Sequence, residues 1–239
     1  MKVDVLAIGA HPDDVELGCG GTIAMLIAQG KKVAIVDLTQ GELGTRGTAE
    51  TRKEEAQAAS EMLGIAHRIN LGLPDGFLEN KREYLLKIVE IIRYFQPEIV
   101  LANAIVDRHP DHQKGAKLVS DACFLSGLLK IETSYKGKNQ MAWRPAHIFN
   151  YIQWKDIEPD FVVDISDFME VKVQACLAYK TQFYDPESTE PITPIATKDF
   201  LESLTYRAQN LGRQSGCEYA EGFTSNKLIA LKNFEGIIL

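Results

Sequence analysis

Histidine and aspartate are joined across a proline twice in this chain, at Ala10-His11-Pro12-Asp13-Asp14 and at Asp107-Arg108-His109-Pro110-Asp111-His112. Imidazole nitrogens and carboxylates gathered in short, stiff loops are the donors a divalent metal ion takes. His11, Asp14 and His112 make a two-histidine, one-carboxylate set, a recurrent ligand set of catalytic zinc that leaves a position open for water. Zinc brings the pKa of such a water toward neutrality, and proline limits the freedom of each loop. Asp13 is then a spare carboxylate beside the ion, placed to act as general base. His109 is a spare imidazole that could steady an oxyanion or protonate a leaving group, with Asp111 orienting its ring. Together these are the parts of a metal-assisted hydrolysis. A lone His-Pro-Asp is ordinarily a turn, and Asp14 by itself reads equally well as a helix N-cap. It is the pairing of two such runs, each after an apolar segment, that favours the metal.

Both runs must sit on loops that the fold brings together. Val3 to Gly9, Lys32 to Thr39, His67 to Leu73 and Ile99 to Ile105 read as strands. Glu16 to Gln29, Ala49 to Leu63, Arg82 to Phe95 and Gln113 to Leu125 read as helices, by apolar spacing and by the glycines and proline that close them. Alternation of this kind predicts a parallel sheet with helices on both faces. Both runs then lie at the carboxyl ends of strands, where such sheets build their sites. His147 to Gln153 and Phe161 to Ile165 follow as strands, Phe168 to Thr181 and Lys198 to Leu211 as helices, and 226–231 as a final short strand. Gly18-Cys19-Gly20-Gly21 is not a dinucleotide-binding G-x-G-x-x-G; its glycines are expected to let the first helix approach the sheet closely. His67 and His147 open strands without acidic companions and read as structural.

The chain has 239 residues and a formal net charge of -7, which argues against nucleic acid and anionic membranes as partners. Four scattered cysteines without a C-x-x-C pair read as reduced, mostly buried thiols. The first apolar stretch is too short for a signal peptide and no run spans a membrane, so the cytoplasm is the expected compartment.

The two motifs, with Glu50-Thr51-Arg52 and Tyr219-Ala220-Glu221-Gly222-Phe223, resemble the LmbE-like, or PIG-L, zinc deacetylases along essentially the whole chain. The resemblance implies a single-domain, Rossmann-like layered α/β fold over 1–239. In it, 1–125 would be the parallel core carrying both motifs, and 126–239 would supply pocket and oligomer contacts. It implies hydrolysis of an N-acetyl group from a glucosamine-containing small molecule, with one Zn²⁺ per subunit or another divalent ion in its place, and a homo-oligomer, a hexamer in relatives. It assigns His11, Asp14 and His112 to the metal, Asp13 to the base, and His109 with Asp111 to the oxyanion. Asp107-Arg108, Lys180-Thr181-Gln182-Phe183 and the stretch Arg207 to Phe223 are most similar to the bacillithiol-type deacetylases, which act on N-acetylglucosaminyl malate. A malate aglycone calls for cations, for which Arg52 and Arg108 are candidates, with Gln182 and Tyr184 as further pocket residues. N-acetylglucosamine itself or a chito-oligosaccharide is the alternative substrate, and a non-catalytic nucleotide-binding module the alternative class.

Overall fold

The computed structural model describes residues 1–231 and 233. Strands β1 (Val5–Gly9), β2 (Val33–Thr39), β3 (His67–Leu73) and β4 (Ile99–Ala102) alternate with helices α1 (Asp14–Ala28), α2 (Ala49–Leu63), α3 (Arg82–Phe95) and α4 (Pro110–Ser126). A two-strand hairpin follows, β5 (Ser134–Tyr135) and β6 (Lys138–Asn139). Then come β7 (His147–Tyr151), β8 (Phe161–Asp164), a 3₁₀ turn at Ser166–Phe168, α5 (Met169–Leu177), α6 (Lys198–Ser215) and β9 (Ala220–Ser225). The seven-stranded sheet has the order β3-β2-β1-β4-β7-β9-β8; β9 pairs antiparallel with both neighbours, and the other ladders are parallel. This is the mixed α/β, mostly parallel architecture that the alternation predicts.

The inner strands read as unbroken apolar runs because both of their faces are covered. Leu6, Ile8, Val36 and Val100 pack toward α3 and α4, while Val5, Ala7, Ile35 and Leu101 pack toward α1 and α5. Strand order now places the chemistry. β1 and β4 are neighbours, and connections leave them toward opposite edges of the sheet, so a crevice opens beyond their carboxyl ends. The two His-Asp runs follow these two strands. His67 and His147 stand at the far, amino ends of β3 and β7, as structural residues would.

Three expectations are corrected. α4 begins at Pro110 rather than Gln113, because proline at its first turn is already set for helix and His109 caps it. The helix expected from Phe168 to Thr181 is the 3₁₀ turn followed by the shorter α5. Residues 226–231 form no strand. The last strand is instead β9, whose alternation was hidden by Glu221 and Gly222. Glu221 is buried because α1 breaks at Cys19 (φ -148°), and its carboxylate accepts from Gly21 N (3.0 Å), Thr22 N (2.7 Å) and Thr22 Oγ1 (2.6 Å). Lys172 Nζ closes that buried pair.

The glycines of α1 do permit a close approach. A Cβ on Gly18 would run into the Tyr151 ring, and one on Gly21 would lie 2.7 Å from Ile165 Cδ1. Gly18→Ala should therefore cost about 1–3 kcal/mol through overpacking, read as a lower urea midpoint at unchanged slope. A neutral result would mean that Tyr151 has room to swing aside. The cysteines are free, three of them buried, and no helix among the described residues is long and apolar enough to cross a membrane.

Candidate metal and catalytic site

The turn after β1 is tight. Asp13 has left-handed backbone (φ 115°, ψ -26°), a conformation an aspartate holds at some cost and one that clusters at functional sites. It stands at the N-cap position of α1 without making a capping hydrogen bond, and Asp14 is already helical. The capping role open to Asp14 is thus not the one it plays. One oxygen of Asp14 accepts from His11 N and Asn103 Nδ2, both at 2.9 Å, and the other accepts from Gln153 Nε2 at 2.8 Å. Asn103 and Gln153 carry no motif. Their only signal in the sequence is their position just past β4 and β7.

Asp14 lies between two imidazoles. Its Oδ2 is 3.4 Å from His11 Nδ1, and its Oδ1 is 3.0 Å from His112 Nε2. The outer nitrogen of each ring is tied to a carboxylate, His11 Nε2 to Asp75 Oδ1 at 3.0 Å and His112 Nδ1 to Asp107 Oδ2 at 2.6 Å. That is the outer shell metal-binding histidines ordinarily have, an acidic partner fixing tautomer and ring plane. Asp75, on the loop after β3, was not legible as a site residue because nothing near it in sequence marks it.

Five buried carboxylates (Asp13, Asp14, Asp75, Asp107 and Asp111) meet here, and one guanidinium, that of Arg52, pairs among them. Burial opposes charge on His112, yet Asp14 and Asp107 outweigh it and raise its pKa to about 9. His11 is likewise raised despite its burial, through Asp111, Asp14 and Asp75. Carboxylates that draw protons onto imidazoles this strongly form a site short of positive charge, which a divalent cation would supply.

Among the described residues, donor atoms of His11, His109 and His112 lie within 4.8 Å of one another, and so do those of His11, Asp75 and Asp111. The second group is turned away from the cavity. Asp75 Oδ2 accepts from Leu43 N (2.9 Å), and Asp111 accepts from Gly76 N (2.7 Å) and Leu78 N (3.3 Å). Neither residue lines the pocket, whereas His11, Asp14, His109 and His112 do. The donors facing the cavity therefore fit a metal, with Asp75 and Asp111 behind them.

The expected pairing of Asp111 with His109 is corrected. The Asp111 carboxylate holds the loop after β3 and approaches His11 Nε2 at 3.7 Å, and it is the Asp111 backbone N–H that donates to His109 Nδ1, at 3.2 Å. With Nδ1 accepting, Nε2 carries the proton of a neutral ring. Burial and the neighbouring His11 and His112 lower the His109 pKa to about 4, so the ring stays neutral. Burial raises Asp13 to about 7, against the pull of Arg52.

Arg52 lines the cavity as a pocket residue should, and its Nη2 also lies 3.1 Å from Asp13 Oδ2 and donates to the Pro12 carbonyl. Arg108 does face the cavity, with its guanidinium 4.4 Å from the centre of the Trp154 ring. Gln182 lines the pocket and donates to Arg46 O (2.9 Å). Tyr184 is absent from the lining. The rest of the wall, Trp154, Ile195, Phe200, Leu204 and Arg207, comes from the second half of the chain, where apolar and basic residues of α6 look like any amphipathic helix. The cavity measures about 160 Å³.

Residues 6–123 match the family described as PIG-L: GlcNAc-PI de-N-acetylase. The diacetylchitobiose deacetylase of Thermococcus kodakarensis is 33% identical over 229 residues, covering 91% of this chain and 81% of its own. A probable N-acetyl-alpha-D-glucosaminyl L-malate deacetylase 2 of Bacillus subtilis is 30% identical over 200 residues, covering 76% of this chain and 84% of its own. The crystal structure of a conserved protein from Thermus thermophilus superposes with a TM-score of 0.86 at 36% identity, covering 96% of this chain and 97% of that one.

Proposed function

The chain belongs to the PIG-L family of deacetylases, amide-hydrolysing enzymes of N-acetylglucosamine-containing substrates, and from that premise we propose that it cleaves the acetamide of an N-acetylglucosaminide with one zinc ion held by His11, Asp14 and His112. The observation that carries this reading is the Asp14 carboxylate between two imidazoles whose outer nitrogens are each fixed by a further carboxylate. Bound there, zinc would supply Lewis acidity toward the amide oxygen and toward water.

The chain's own groups do the rest. Asp13, poised near neutrality and held by Arg52, takes a proton from the attacking water and returns it to the departing sugar amine. His109, neutral and protonated on Nε2, donates to the oxygen on which negative charge develops. Asn103 and Gln153 keep Asp14 from turning. The apolar wall of Leu17, Ile195, Phe200 and Leu204 keeps bulk water from the reacting centre.

For the remainder of the substrate, a neutral sugar has the stronger support. The relative at 33% identity is a diacetylchitobiose deacetylase. Of the basic side chains around the cavity, Arg52 is engaged with Asp13, Arg207 with Asp156, and nearby Arg46 with Glu190. The second reading is N-acetylglucosaminyl malate, as in bacillithiol biosynthesis. Arg108 favours it as a cation at the cavity with no ion pair among the described residues. Arg108→Ala should raise KM for the malate conjugate about tenfold, the worth of one charge-assisted contact, and leave KM for N-acetylglucosamine nearly alone; equal effects would remove malate. The decisive assay measures acetate release from N-acetylglucosamine, diacetylchitobiose and N-acetylglucosaminyl malate before chelation, after it, and after zinc is restored. Activity lost to chelator and recovered with zinc is expected, and undiminished turnover in metal-free protein would sink the proposal.

A further inference from the structure

The left-handed backbone of Asp13 (φ 115°) is one that persists only where neighbouring structure over-determines it. The Asp13 side chain makes no capping bond, and its ion pair runs to Arg52 on α2. Asp14, the next residue, is fixed from the opposite side, by Asn103 and Gln153 just past β4 and β7. What fixes the turn toward α2 lies deeper, in a buried cluster that the chemistry above leaves unused.

Glu16 is fully buried in the first turn of α1. Its Oε1 accepts from Arg68 Nη1 at 2.6 Å and from the Tyr179 hydroxyl at 3.1 Å. Arg68, on β3, has a side chain only 8% exposed. It grips Asp37 on β2 with two hydrogen bonds, Nε to Oδ2 at 2.8 Å and Nη2 to Oδ1 at 2.7 Å. Arg68 Nη1 also donates to Ala56 O (3.3 Å) and Ser60 Oγ (3.4 Å) on α2. One guanidinium thus ties α1, α2, β2 and β3 together at a single point. Neither Glu16 nor Arg68 lines the catalytic cavity.

Two ties therefore cross from α1 to α2 side by side. The upper one joins Asp13 to Arg52. The lower one runs from Glu16 through Arg68 to Ala56, and Ala56 follows Arg52 by about one helical turn. The lower tie resists stretching, because a rigid fork that donates to two carboxylates at once loses several charge-assisted bonds if either helix shifts. As a source of stability the cluster is poor. Two buried carboxylates share one guanidinium, and Glu16 Oε2 has no hydrogen-bond partner among the described residues. Its geometry is what it supplies.

We propose that the buried Glu16–Arg68 pair positions the general base, by holding the first turn of α1 at the distance from α2 at which Asp13 meets Arg52. The proposal rests on the deacetylase reading above, and it makes Arg68 a positioning residue that touches neither substrate nor metal.

Arg68→Lys keeps a charge on β3, but one ammonium cannot span Asp37 and Glu16 as the fork does. Glu16→Gln keeps an oxygen for Arg68 and removes the charge, and it carries the test if Arg68→Lys does not fold. Each variant should lower kcat about tenfold or more, within what a misplacement of about 1 Å can cost, and leave KM nearly alone. Zinc affinity, measured by competition with a chelator, should fall by far less than the about 10–100-fold that a missing outer-shell partner costs. On an Asp13→Asn background, Arg68→Lys should lower kcat no further, because the group it positions is already lost. Amide exchange at Leu17, whose N–H donates to Asp13 O at 2.9 Å, should quicken in both variants. An unchanged kcat overturns the proposal. So does zinc affinity that falls in step with kcat, or an undiminished effect on the Asp13→Asn background, since either marks a general loss of structure. Should wild type release no acetate from any acetylated sugar, the deacetylase reading falls and the exchange decides the positioning by itself. Faster exchange at Leu17 then upholds it, and exchange at the wild-type rate overturns it.

Discussion

Asp13→Asn should keep its metal and lose turnover by about 10²–10⁴-fold, the usual worth of a positioned general base. Asparagine occupies the same space and still offers an oxygen to Arg52, so the left-handed turn and the helix behind it are preserved. What it cannot do is accept a proton. Metal analysis and a thermal melt close to wild type, beside a collapsed kcat, would isolate the chemical role. A variant with near wild-type kcat would move the base elsewhere in the cavity. KM should change little, because Asp13 is bound to Arg52 and not to an aglycone.

His112→Ala should empty the site. Removing an outer-shell partner such as Asp107 typically weakens metal binding about 10–100-fold, and loss of an inner donor should exceed that. His112 also stands between Asp14 and Asp107, so its removal leaves two buried carboxylates facing a void. The expected outcome is substoichiometric zinc after dialysis, with no activity until zinc is supplied in large excess. Asp107→Ala is the graded companion, weaker in affinity yet still able to load. A full metal complement in His112→Ala would strike His112 from the ligands and turn attention to the other buried group, His11, Asp75 and Asp111.

Neither result depends on the finer substrate, and that division follows what could be read from the residues. That His11, Asp14 and His112 would share one cavity was legible because motif and strand sit side by side in sequence. Asp75 was not, although it lies 3.0 Å from His11, because its contact is made across the sheet by a loop with no chemical signature of its own. Arg52 was legible as a pocket residue but not as the partner of Asp13. Tyr184 follows Gln182 by two positions, yet only Gln182 turns into the cavity. β9 escaped detection because a buried acid needed by the broken helix α1, and a glycine packed against Ile152 and Leu211, interrupt its alternation.

By itself, then, the sequence determined the elements of the parallel core and the His-Asp runs that the fold gathers into one site. Hydrophobic period, glycine stops and the His-Pro-Asp runs are local, and local signals survive in one dimension. Tertiary structure decided which carboxylate faces which ring and which arginines are spent on internal partners. Those outcomes follow from strand order: β1 and β4 lie side by side with β7 next, and this brings residues distant in sequence into contact. Contact across a sheet depends on the packing of every layer together, and no single stretch of the chain encodes it.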